Sequence, residues 1–192
     1  MNLGFTKIFP KTKGNLAGKP TLFVERVWAG FSEKELDFYF KNRFTISFHD
    51  RELMSLLFAN HDYKLDWDRY DQLKASDTRK KHTVRIDHTK RWKAGNKIHF
   101  VINSRSSKHL QFAPIIEVIS VQRIFMTYAY NKLIEISVGG TELFEHHSRI
   151  EFAINDGFDS WDDFFEYFYP DIMNNSTKQF SGVVIHWTNL KY

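Results

Sequence analysis

The sequence predicts an α+β protein, a small mixed β-barrel with peripheral helices and a helical insertion. Three observations lead there. Short runs of β-branched and aromatic residues recur, notably Lys80 to Ile86, Lys97 to Asn103, Ile115 to Val138 and Phe180 to Trp187. Helix-start signatures fall between and around them at Ser32, Asp50 and Ser160. With 192 residues, 19 of them Phe, and no Cys, the chain has core-filling side chains for one domain and needs no disulfides.

Taken in order, Phe5 to Pro20 reads as a short strand and then a Lys-, Gly- and Pro-rich loop. Thr21 to Gly30 reads as a helix capped by Thr21 and ended by Gly30. Ser32 and Glu35 form a capping box for a helix through Leu36, Tyr39 and Phe40, and Asp50 caps another through Leu53, Leu56 and Phe58. Trp67 and Tyr70 anchor the polar stretch that follows. Residues 31–77 together read as a helical insertion within a single domain spanning 1–192.

Lys80 to Ile86 reads as a strand, and Arg91 to Asn96 as a turn into a second strand, Lys97 to Asn103, in which Ile98, Phe100 and Ile102 alternate with Lys97, His99 and Val101. On an ideal strand Lys81, Thr83 and Arg85 share one face, and Lys80, His82 and Val84 the other. For Lys80 to act with Thr83, the chain must bend there or Lys80 must precede the strand. Gly139-Gly140 predicts a hairpin turn into Thr141 to Phe144. Helical signals return at Ile150 to Ile154, Asp156-Gly157-Phe158 is a break, and Ser160 caps a helix carrying Trp161, Phe164, Phe165 and Phe168 that Pro170 ends. The unbroken apolar run in Phe180 to Trp187 predicts a strand buried on both faces.

The Met1 to Phe5 start opens no signal-peptide core, and no run approaches the roughly 18 apolar residues of a membrane span. A soluble, cytoplasmic protein with no membrane partner is expected. No phosphate-binding glycine loop, dinucleotide fingerprint or nucleophile elbow occurs, and no H-x-x-x-H helix pair appears among the nine histidines, so neither metal nor cofactor is expected. The net charge of +4 is mild. Its distribution is not. From Thr78 to Lys108 there are ten Lys or Arg against one acid, Asp87; from Thr141 to Asp171 there are nine acids against Arg149. The basic segment is suited to a phosphate-bearing ligand, and equally to pairing with the acidic one.

Lys80, Thr83 and Arg85 combine a hydroxyl with a lysine whose basicity cationic neighbours or burial would adjust, the pattern of a nucleophile with its base. The plain alternative is a basic solvated strand face with Thr83 serving β-propensity. Asp156 in its glycine turn can aim a carboxylate into a cleft, or can simply cap a helix. Trp92, Trp187 and Phe158 can stack a base, or fill a core. Arg79, Lys81, His82, Arg85 and Arg91 complete the candidate ligand-binding set.

In order along the chain, K-x-H-T-V-R-I-D, R-W-K-A-G-N-K-I-H-F, N-D-G-F-D-S-W-D-D-F-F and F-S-G-V-V-I-H-W resemble an ASCH domain of the PUA-like superfamily. The likeness covers about residues 78–192, with Gly4 to Gly30 similar to that family's first strand and helix, and 31–77 falling where compact relatives carry no insert. It implies a small β-barrel with a cleft, acting on RNA or modified nucleosides. Some bacterial members are amidohydrolases that remove the acetyl group from N4-acetylcytidine with a Lys, a Thr and a Glu. Their K-x-x-T-x-R pattern is similar to Lys80, Thr83 and Arg85, and Asp156, one methylene shorter, takes the place of the glutamate. Two functions are therefore expected to compete: exocyclic-amide hydrolysis by Lys80, Thr83 and Asp156, and non-catalytic reading of RNA or a modified base, with the 31–77 insertion a candidate protein contact.

Overall fold

In the computed structural model, which describes residues 1–130 and 133–192, the chain is a mixed α+β protein with six α-helices and two β-sheets among those residues. It divides into two compact units. The first comprises 1–7, 20–80 and 97–116, and the second 8–19, 81–96 and 117–192.

In the first unit β1 (Asn2–Phe5) runs parallel to β3 (Lys97–Ile102), whose other edge takes β4 (Leu110–Gln111) antiparallel. Helices α1 (Phe23–Trp28), α2 (Glu33–Phe44), α3 (Arg51–Ala59) and α4 (Trp67–Ala75) accompany this sheet. The predicted capping box is present: Ser32 Oγ accepts from Glu35 N–H, and the Glu35 carboxylate accepts from Ser32 N–H at 2.8 Å. Asp50 accepts from Leu53 N–H and Asp66 from Arg69 N–H in the same way. Thr21 does not cap α1. Its hydroxyl donates to the Thr6 carbonyl at 2.6 Å, and the helix starts instead from Leu22 in the left-handed region, φ 56°. The short hydroxyl found a competing backbone acceptor just after β1.

The core of this unit is built on Trp28. Its ring centroid lies 5.1 to 5.6 Å from those of Phe58, Phe48 and Phe40 in edge-to-face pairs, and its Nε1–H donates to the Phe112 carbonyl at 2.6 Å. Buried Glu25 is satisfied by the Tyr63 hydroxyl at 2.6 Å and Asp66 N–H at 3.0 Å, and burial raises its pKa.

In the second unit the sheet order is β2 (His82–Arg85), β9 (Gln179–His186), β6 (Ser120–Tyr128), β7 (Ile134–Val138), β8 (Thr141–Glu142), all antiparallel; α5 (His146–Asn155) packs on α6 (Trp161–Asn174), which packs on β9 and β6. β5 (Ile116–Glu117) spans the change from one unit to the other. The Gly139-Gly140 hairpin joins β7 to β8 as predicted, both glycines at positive φ. Pro170 does not end α6: the helix runs on to Asn174, with Phe164, Phe165, Phe168 and Ile172 buried on one side. Burying that apolar stripe outweighs the hydrogen bond a proline forfeits.

The expected barrel is not closed among the described residues. Each sheet is an open ladder, and the second ends on a two-residue strand, too short to pair around into a ring. No described helix is long and apolar enough to cross a membrane.

Candidate functional site

Strand β2 is shorter than the sequence suggests. It begins at His82, so Lys80 precedes it and the pleat does not dictate where its side chain points. Within the first unit Lys80 is buried, its N–H donates to the Arg26 carbonyl at 3.1 Å, and its ammonium lies 4.7 Å from the Phe23 ring centroid. Arg79 Nε sits 3.7 Å from the Asp77 carboxylate.

In the second unit the register decides which side chains share a face. Thr83 pairs with Ile185 and Val121 with the same residue; Arg85 pairs with Val183, which pairs with Arg123; Phe125 lies between Ser181 and Ser137, and Ser137 opposes Glu142. These residues form one face. The opposite face carries His82, Val84, Val184, His186, Ile124, Met126, Ile136 and Val138, all buried. The second face is core. The first is open toward Arg123, Phe125 and Ser181, which are exposed, and closed around Thr83 and Ile185, at most 1% exposed.

Asp156 reaches β2 because α5 ends in a Schellman motif. Phe158 N–H donates to the Ala153 carbonyl and Gly157 N–H to that of Ile154, with Gly157 at φ 91°, where a side chain would be strained. Buried Asp156 accepts from the Val84 N–H at 2.9 Å through Oδ1, and the same oxygen lies 3.5 Å from His82 Nδ1. The Lys81 N–H donates to the Asn155 carbonyl at 2.8 Å, so the end of α5 is tied to β2 by two adjacent residues.

His82 is core rather than surface. Its ring packs 4.8 Å from that of Phe152, and its Nε2 shares a 2.9 Å hydrogen bond with the Tyr192 hydroxyl, to which Asn155 Nδ2 also donates at 3.0 Å. Burial drives the Tyr192 phenol well above its ordinary pKa, so it serves as a neutral clamp and not as a nucleophile. His186, 5.2 Å from His82 between ring centroids, is fully buried with no hydrogen-bond partner for either ring nitrogen among the described residues. Burial first, then the His82 charge, lowers its pKa to about 3.

Arg85 is half-buried on the shared face, and burial lowers its pKa against the opposing pull of Tyr167 and Asp156. Phe158 is core, stacked on Phe9 at 6.0 Å and edge-on to Phe164. Arg91 is exposed with its guanidinium 5.7 Å from the Trp92 ring centroid, while Trp92 itself is 4% exposed.

The loop after β2 and the open face of β9 and β6 enclose a groove of about 700 Å³. Lys90, Lys93 and Arg123 supply its positive side, with His88 beside them; Trp92, Val121 and Phe125 form its apolar wall. Its one carboxylate, Asp87, accepts from the Arg91 and Trp92 N–H groups at 3.1 Å and so holds the basic loop in shape. Gly182, paired with Ile124 on the buried side of the sheet, has no room for a side chain: a Cβ there would lie 2.6 Å from the Arg85 carbonyl oxygen and 2.9 Å from the Phe180 ring. Of the sequence candidates, only Trp92 lines this groove. Arg123, Phe125 and His88 carried no motif, although the alternation of Arg123 and Phe125 with Ile124 and Met126 on a strand is a readable signal of one wet face.

No protein-family model, curated protein or solved structure matches this chain.

Proposed function

We propose that the chain binds single-stranded RNA or a modified nucleoside in the basic groove of its second unit, in keeping with the resemblance to ASCH domains of the PUA-like superfamily. The observation that carries this reading is the convergence of Lys90, Lys93 and Arg123 on one aromatic-walled groove. Cations track the phosphates, an aromatic wall accepts a base, and the two together are what sequence-tolerant single-strand binding requires.

Fluorescence anisotropy with a labelled single-stranded oligonucleotide tests it. Neutralising three phosphates on a single strand gives a slope of log K against log salt of about −2, so affinity is expected to fall about 20-fold between about 50 and 200 mM salt. Replacing Lys90, Lys93 and Arg123 together by Ala is expected to flatten that slope toward zero. Absence of binding at the lower salt, or an unchanged slope in the triple variant, overturns the reading.

A second reading, hydrolysis of an exocyclic amide such as that of N4-acetylcytidine, is favoured by one observation: Asp156 is hydrogen-bonded to Val84, the residue next to Thr83. Thr83 would attack the acyl carbon while Lys80, the base the resemblance implies, takes its proton; Asp156 would pass that proton to the amine as the C–N bond breaks, Arg85 would face the developing oxyanion, and water would then cleave the acyl-threonine to free acid and restore Thr83. Binding is preferred because Asp156 Oδ1 is committed to holding β2 and Thr83 is buried. Chromatography of a mixture with N4-acetylcytidine separates the two: cytidine release that disappears in Thr83→Ala reverses the preference, and no release leaves binding as the function.

A further inference from the structure

Phe125 stands between the basic groove and a second, smaller cavity of about 120 Å³ on the same sheet face. Phe125 and Phe144 wall this cavity and are 45% and 74% exposed. Two large apolar side chains left in water at one pocket call for a flat apolar occupant. Glu135, Glu142, Ser137 and Arg149 supply its polar side. The strand register puts Phe125, Ser137 and Glu142 in a single cross-strand row, with Thr127 and Glu135 in the next. Arg149 Nε donates to the Leu143 carbonyl at 2.7 Å, which fixes the guanidinium beside the pocket while leaving its terminal nitrogens to other acceptors.

We infer that this pocket is a guanine-recognition subsite for RNA whose phosphates occupy the basic groove. The inference rests on the binding reading above. The base stacks on Phe125, with Phe144 flanking it. The choice of base follows from the donors and acceptors. A carboxylate only accepts, and guanine alone among the four bases presents two adjacent donors, N1–H and N2–H, on its Watson–Crick edge, to which Glu135 or Glu142 can bond in parallel. Cytosine and adenine each set a ring acceptor beside a single amino group, and uracil flanks its one N–H with two carbonyls, so each turns a lone pair toward the carboxylate. On guanine's other edge O6 and N7 are acceptors suited to Arg149. Charge complementarity supports the orientation: cations lie at Arg123, two residues along β6 from Phe125, and carboxylates lie on β7 and β8 on the far side of it.

The test is anisotropy with labelled uridine hexamers carrying one central G, A, C, U or inosine. The G hexamer is expected to bind roughly 10-fold more tightly than those with A, C or U, with inosine, which lacks the N2 amine, in between. Glu135→Gln and Glu142→Gln, separately and together, are expected to abolish the preference for G while the salt slope set by the groove stays unchanged. Phe125→Ala is expected to weaken every hexamer by about 10-fold. Equal affinity for all five hexamers, or a preference for G that survives the double glutamine variant, overturns the subsite and leaves the groove standing. Failure of every hexamer to bind at low salt overturns both.

Discussion

Trp28→Ala is expected to lower the free energy of unfolding by about 3–5 kcal/mol. The indole is fully buried, meets Phe40, Phe48 and Phe58 edge to face, lies 5.8 Å from Trp67, and holds the Phe112 carbonyl through its N–H. Truncation opens a cavity among rings too rigid to collapse into it, and strands a buried acceptor that costs a further share of the total. Since a domain of this size has a margin of about 5–15 kcal/mol, the change removes a large part of it. Trp28→Phe separates the two causes, keeping most of the ring and losing the hydrogen bond, with an expected cost of about 1–2 kcal/mol. Urea denaturation measures both. A loss below about 1 kcal/mol in the alanine variant would mean that the aromatic cluster is not the keystone of the first unit.

Acid is expected to destabilise the protein steeply below pH 6.5, and His186 is the cause. Its pKa falls from 6.5 in the unfolded chain to about 3 in the fold. Above pH 6.5 the ring is neutral in both states and contributes nothing to the pH dependence. As the pH falls below 6.5 the unfolded chain takes up a proton that the folded chain refuses, so stability drops by about 1.4 kcal/mol per pH unit, or about 3 kcal/mol by pH 4.5. The groups around the ring set the direction: burial and His82 oppose the charge, Lys191 opposes it weakly, and Asp156 alone favours it. Both ring nitrogens lack a hydrogen-bond partner among the described residues, so nothing compensates for lost water. His186→Leu keeps the apolar surroundings and removes the titration. Unfolding of the two proteins in urea at pH 7.5 and 4.5 should give a smaller pH difference for the leucine variant by about 3 kcal/mol. Equal differences would assign the acid sensitivity elsewhere.

The acid prediction bears on the candidate site, because His186 shares its cluster with His82, Asp156, Asn155 and Tyr192, and these hold the end of α5 against β2. Loss of that junction at low pH would release Asp156 from the strand that carries Thr83. In the same strand the side of the sheet bearing Thr83 runs outward to Arg123 and Phe125, where the proposed groove and guanine pocket meet.

What the sequence by itself determined was local: the helix starts at Ser32, Asp50 and Ser160, the Gly139-Gly140 hairpin and the glycine break after Asp156, each set by a side chain bonding its own backbone within three residues or by a residue that tolerates positive φ. Where a second acceptor or a core competed, local rules failed, as when Thr21 turned to Thr6 and α6 passed through Pro170. The opposition of Lys80 and Thr83 across a pleat vanished because the strand began two residues later than its β-branched run suggested. Open edges instead of a barrel, the burial of His82, and the joining of Arg123 and Phe125 to Lys90 and Lys93 were decided only by tertiary structure. Strand register brings together residues as far apart in the chain as His82 and His186, and no periodicity within one strand specifies its partner.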